Sequence, residues 1–192
     1  MEEFLLFFLS IFVFFIIMNK LYKKSDVLSV RSSIDNQVYV VRKLPDAKQA
    51  ADKLAMVNQN VLRLIASLSN NTRDGVDDLT RNYNPSTLSE TVVGSKYTSY
   101  SLNKGEKIAL CIRKKDDNLT FENENTVIFV AIHELSHIMT ESVGHEKEFW
   151  DNMGFLLEKA HELDIYEPVD YNENNIDYCG MEITTTPYDF KK

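Results

Sequence analysis

The chain has 192 residues, 44% of them apolar, which is enough for one domain with a core of its own. Its formal charge of −8 at pH 7 argues against a surface built to hold nucleic acid. Two cysteines, Cys111 and Cys179, do not make a disulfide framework, and both are expected to be reduced in a cytoplasmic domain.

Residues 1–24 read as an N-terminal transmembrane anchor. Phe4 to Met18 carries no charge, and with Leu21 and Tyr22 it approaches the ~20 residues that span a bilayer. Lys20, Lys23 and Lys24 follow, so the positive-inside tendency places the rest of the chain on the cytoplasmic side of a single-pass membrane protein. Residues 25–36 read as a polar tether, and residues 37–192 as the folded domain. Gln37 to Arg42 is rich in β-branched and aromatic residues and predicts a strand. Pro45-Asp46 opens a long helix to about Ser69, whose Ala50, Leu54, Val57, Val61, Leu64 and Leu68 keep the helical period. A short helix over 76–83 ends at Asn84-Pro85. Thr91 to Leu102 alternates weakly, Asn103-Lys104-Gly105 predicts a hairpin turn, and Glu106 to Arg113 is the clearest strand. Arg113-Lys114-Lys115 reads as a solvated turn.

The next segment carries the chemistry. Val127 to Ile132 is apolar on every side of a helix, which marks a buried helix. It runs directly into His133-Glu134-Leu135-Ser136-His137, an HExxH string. Positions i and i+4 share a helix face, so His133 and His137 can present two imidazoles to one metal, with Glu134 beside them. Polar groups in so apolar a setting need partners, and a zinc ion supplies one. The helix is expected to start at Asn123 or Asn125 and to end at Gly144. His145 follows that turn and is the favoured third ligand; Glu158 and Glu162, on a following helix over 146–163, are rivals. His161 is assigned no role. The tail from Pro168 is expected to form loops and a short strand near the cleft. Tyr166, Tyr171, Tyr178 and Tyr188 are left open as candidates for a second electrophile.

The strings His133 to His137 and Gly144-His145-Glu146-Lys147-Glu148-Phe149-Trp150 resemble the HELxH…HxxxFW pattern of WLM and SprT-like zincin metallopeptidases. The similarity is greatest to membrane-anchored WLM-type proteins of large DNA viruses. Softer matches at Tyr39 to Arg42, Asn103 to Glu106 and Tyr178-Cys179-Gly180 extend it over residues 35–187. The resemblance implies a small α+β zincin-like domain, an HExxH helix packed on a short antiparallel sheet, behind the membrane helix. It also implies an edge strand that borders the cleft and pairs with substrate backbone, drawn from residues 91–102 or 106–113. Cellular relatives are implicated in cleaving proteins crosslinked to DNA. The apolar N-terminus and the spacing to His145 depart from those relatives and point away from that role.

The expectation is therefore a zinc-dependent metalloendopeptidase acting on protein or peptide. His133, His137 and His145 would hold Zn²⁺, and Glu134 would serve as general base. The alternative is a zincin-fold binding or virion scaffold protein without turnover.

Overall fold

The computed structural model describes residue 8 and residues 11–13, 26–116 and 118–191. A five-stranded mixed sheet has the order β1 (Val27–Arg31), β2 (Val38–Arg42), β3 (Ser89–Glu90), β5 (Lys107–Leu110), β4 (Tyr100–Leu102). β1 and β2 form an antiparallel hairpin, with Val27 opposite Arg42 and Arg31 opposite Val38. β2–β3 and β3–β5 are parallel, and β4 pairs antiparallel with β5 on the far edge. The sheet is thus mixed rather than antiparallel. The chain leaves β2 through α1 (Ala47–Ser67) and α2 (Val76–Asn82) before it reaches β3, and a helical crossover of that kind returns a strand parallel to its predecessor.

The predicted tether contains β1. Its Val27 and Val30 are half-buried while Leu28, Ser29 and Arg31 are exposed, so it has no clear alternation, and β2 supplies the partner that a lone five-residue segment does not reveal.

The ligand helix α3 (Glu124–Met139) lies at the centre, packed against α1, α2, α4 (Lys147–Glu162) and the β4–β5 edge. Asn123 is its N-cap, its side chain accepting from the Thr126 N–H at 3.2 Å. The helix stops at Met139, five residues before Gly144, because Thr140 is extended (φ −100°, ψ 130°). Its last carbonyl is taken by a side chain, Asn152 Nδ2 donating to Met139 O, and Lys104 Nζ donates to the next two, Thr140 O and Glu141 O. Gly75 (φ +82°) starts α2 so close to this end that a Cβ there would lie 1.9 Å from Met139 O.

Arg113 is not on a solvated turn. Its side chain is 1% exposed and pairs with Glu90, also 1% exposed, at 2.8 Å and with Asp46 at 2.6 Å; its guanidinium lies over the Phe121 ring at 4.3 Å. Asp46 spends its carboxylate on this pair and makes no side-chain cap for α1.

Beyond α4 the chain forms a two-stranded hairpin, β6 (Ile176–Tyr178) and β7 (Met181–Ile183). Cys111 and Cys179 are disulfide-bonded, against the expectation that both are reduced. Cys179 occupies the hairpin turn at φ +53°, and this sharp reversal sets its Cα 6.4 Å from that of Cys111, within bonding range. Sixty-eight positions separate the two, so only the tertiary fold brings them together. Replacing both by serine is expected to lower the stability by about 2–4 kcal/mol, read as the urea midpoint of oxidised wild type against the double variant. Coincident midpoints would show that the packing holds the hairpin unaided.

Among the described residues no helix is long and apolar enough to cross a membrane. This finding overturns the single-pass membrane placement expected from the sequence. Most of Phe4–Met18 lies outside the described residues; Phe8 and residues 11–13 are helical and exposed.

Candidate metal centre

Because α3 is apolar over 127–132, it is buried up to His133, and its register then turns the 133/137 face toward the β4 edge and the loop 140–146. His145 folds back from that loop. Its Nε2 lies 3.1 Å from His133 Nε2 and 3.2 Å from His137 Nε2. Two zinc–nitrogen bonds of ~2.0–2.1 Å at a tetrahedral angle span ~3.3 Å, so both spacings from His145 fit one tetrahedral ion, which three protein ligands would leave with a fourth position. Among the described residues no other histidine, cysteine, aspartate or glutamate joins the cluster. Of the rival ligands, Glu162 is paired with Lys159, and Glu158 lies outside the cluster.

A single ring organises the imidazoles. Phe149, fully buried on the first turns of α4, has its centroid 4.9 Å from that of His133, 4.5 Å from that of His137 and 4.5 Å from that of His145. Trp150 adds a second contact to His145 at 5.7 Å. The loop bearing His145 is fastened at its first residues, 140–142, from two elements. Lys104 holds its first carbonyls, and Glu148 accepts from the Glu141 N–H at 3.0 Å and from the Ser142 hydroxyl at 2.9 Å.

Burial and the mutual repulsion of the three rings push His133 down to about 3. Burial, His145 and Lys104 push His137 down to about 4. Both rings are therefore neutral at pH 7, the state a metal ligand requires. Burial pushes Glu134 up to about 7, opposed by a hydrogen bond from the Ser101 backbone N–H. A carboxyl held near neutrality suits proton transfer at physiological pH.

Ser101 belongs to β4, the edge strand left unpaired on the side facing the histidines. An open cleft of 820 Å³ runs between them, lined by Tyr97, Tyr100, Leu102, Val143, His137 and His145 among others. Of the two stretches considered for the edge, 91–102 supplies it; β5 is internal. Of the four open tyrosines, Tyr166 and Tyr171 pack on Phe129 and Tyr188 on His161. Tyr178 comes near Glu134, but its hydroxyl donates to Cys111 O and lies 3.1 Å from Ser99 Oγ. Sequence reasoning missed Lys104 and Ser101 as parts of the site. The phenylalanine floor was visible only as the FW pair of the motif.

Lys104→Met is expected to weaken zinc binding about 10-fold or more, because the loop that aims His145 loses its anchor. Competition with a chromogenic chelator reads this, and an unchanged affinity would assign the loop geometry to Glu148 alone.

The architecture has known counterparts. Wss1 of Saccharomyces cerevisiae shares the fold: the crystal structure superposes with a TM-score of 0.51 at 18% identity, covering 65% of this chain and 87% of that one. Protein R325 of Acanthamoeba polyphaga mimivirus is 30% identical over 166 residues, 83% of this chain and 84% of its own length. Protein 136R of Invertebrate iridescent virus 6 is 26% identical over 145 residues, 71% of this chain and 80% of its own. The WLM domain pattern spans residues 33–187, from the sheet through the three histidines to the C-terminal hairpin, and the chain belongs to the WLM domain family.

Proposed function

We propose that this chain is a zinc-dependent endopeptidase. The convergence of three imidazoles, with His145 Nε2 3.1 Å from that of His133 and 3.2 Å from that of His137, carries the reading. Support comes from the buried Glu134 alongside and from an unpaired strand edge across the cleft. Zinc bound by His133, His137 and His145 would supply the Lewis acid that activates water at neutral pH. Glu134 takes a proton from the attacking water and returns it to the leaving amine. β4 holds the substrate extended by strand addition, its Ser101 N–H turning from Glu134 to a substrate carbonyl. A structural zinc site is closed by four protein ligands, commonly including cysteine; here both cysteines are spent on each other.

The experiment is elemental mass spectrometry on the full chain and its His137→Ala variant. About one zinc per chain, lost in the variant, is the expected result. A folded wild-type chain that takes up no zinc ends the peptidase reading and leaves a scaffold.

A further inference from the structure

A second hollow adjoins the first. It measures 340 Å³ and lies on the N-terminal side of His133, between Phe129 and Val130 of α3, Met153 of α4 and Ile183 of β7. His133 and Glu134 line both, whereas His137 and His145 line the open cleft alone. A substrate carbonyl at the histidine cluster therefore has a bounded hollow on one side and an open groove on the other.

The buried part of the lining is largely apolar, and Thr98, Ser99, Thr184 and Thr185 line the hollow from less buried positions. Phe129, Val130 and Met153 are buried core residues, and the one buried hydroxyl, that of Tyr178, is already bonded to Cys111 O. Apart from Glu134, which faces the histidine cluster, charge occurs at two exposed lining residues of opposite sign, Lys96 and Glu182, which offset each other. The volume exceeds that of any single natural side chain and sits at the small end of the ~300–1,000 Å³ range of ligand pockets.

The outer wall is the β6–β7 hairpin. Two strands of three residues are not stable alone. This pair is held by the Cys111–Cys179 disulfide, by the Tyr178 hydroxyl on Cys111 O and by Glu122, which accepts from the Cys179 N–H at 2.8 Å. The side of the hollow that a substrate side chain would meet is thus fixed covalently to the residue following β5.

We infer that this hollow is the selectivity subsite, that it takes a large apolar side chain on one side of the scissile bond, and that the clamped hairpin is the wall that makes it selective. The inference rests on the peptidase reading above, but one arm of its test does not.

In the first arm, the zinc-loaded full chain digests a proteome-derived peptide mixture, and mass spectrometry reads the cleavage sites. Leucine, methionine and phenylalanine should be enriched at one flanking position and not at the other. A single methylene in an apolar pocket discriminates by roughly 10–200-fold, so leucine should exceed glycine there by more than tenfold. Ile183→Trp, which fills the hollow from its wall, should move the preference to glycine and alanine. The Cys111→Ser/Cys179→Ser chain should cut with a flattened profile. A flat or charge-directed profile in the wild type overturns the inference, as does an unchanged leucine-to-alanine ratio in Ile183→Trp.

In the second arm, no turnover is needed. Trp150 is the only tryptophan of the chain and lines the hollow, so its fluorescence reports occupancy. The Glu134→Gln full chain is titrated with blocked pentapeptides, four alanines around a central leucine or glycine. A saturable change with the leucine peptide, absent or at least tenfold weaker with glycine, is expected. Equal responses overturn the subsite whether or not the wild type hydrolyses anything. Absence of hydrolysis with an intact leucine response refutes the peptidase reading alone.

Discussion

Glu134→Gln should cut peptide hydrolysis by roughly 10²–10⁴-fold while leaving the zinc content at its wild-type value. The two side chains have nearly the same shape, so the α3 register, the Phe149 floor and the three imidazoles are undisturbed. What is lost is the ability to take a proton. Stability provides an internal control. Burial raises Glu134 to about 7, so the fold works against its ionised form at neutral pH. A neutral amide removes that opposition, and the melting temperature of the variant should equal or exceed that of the wild type. Loss of activity together with a lowered melting temperature would point to damage rather than chemistry. A rate within tenfold of wild type would take Glu134 out of the mechanism.

Arg113→Ala is expected to cost about 3–5 kcal/mol, because it strands the Glu90 carboxylate 1% exposed with no cation beside it. For a chain of this size that corresponds to a melting temperature lower by roughly 10 °C. The wild-type pair is not itself the source of so large a number; the penalty lies in the uncompensated charge left behind. Arg113→Met with Glu90→Gln should therefore recover at least half of the loss, since the charge goes and the amide oxygen still accepts from the Arg42 N–H, now bonded to Glu90 at 2.7 Å. Calorimetry of the three chains separates the terms. A single variant that melts within about 2 °C of wild type would mean that water reaches Glu90.

The parts of this molecule that could be read from its sequence are those dictated by local periodicity. α1 and α4 fall within two residues of their predicted ends, because each carries an apolar stripe that only a helix can bury on one face. The position of His145 beside His133 and His137 was also legible, since it is the next histidine after the HExxH string and directly follows the turn residue Gly144. What escaped was set by partners distant in the chain. β1 needs β2, and Arg113 is drawn inside by Glu90 and Asp46 from earlier segments. Cys179 is brought to Cys111 by a hairpin whose strands have three residues each, too short for a pattern. The end of α3 was misplaced at Gly144 because the groups that terminate it, Asn152 and Lys104, come from other elements. A glycine signals where a helix can close, not where its carbonyls find other partners. The membrane placement fails differently: the unbroken apolar run at the N-terminus suggests a span, and no helix among the described residues is both long and apolar enough to be one.

The bond between Cys111 and Cys179 encloses α3, α4 and all three histidines in one covalent ring. Hydrolysis of any single peptide bond inside the ring opens it without dividing the molecule. The segment 141–146, which has no regular secondary structure and carries Val143 at 91% exposure, is the place where a protease would find accessible backbone. A chain nicked there would migrate as one species until reduced and then as two fragments, so its integrity can be judged only by running both gels.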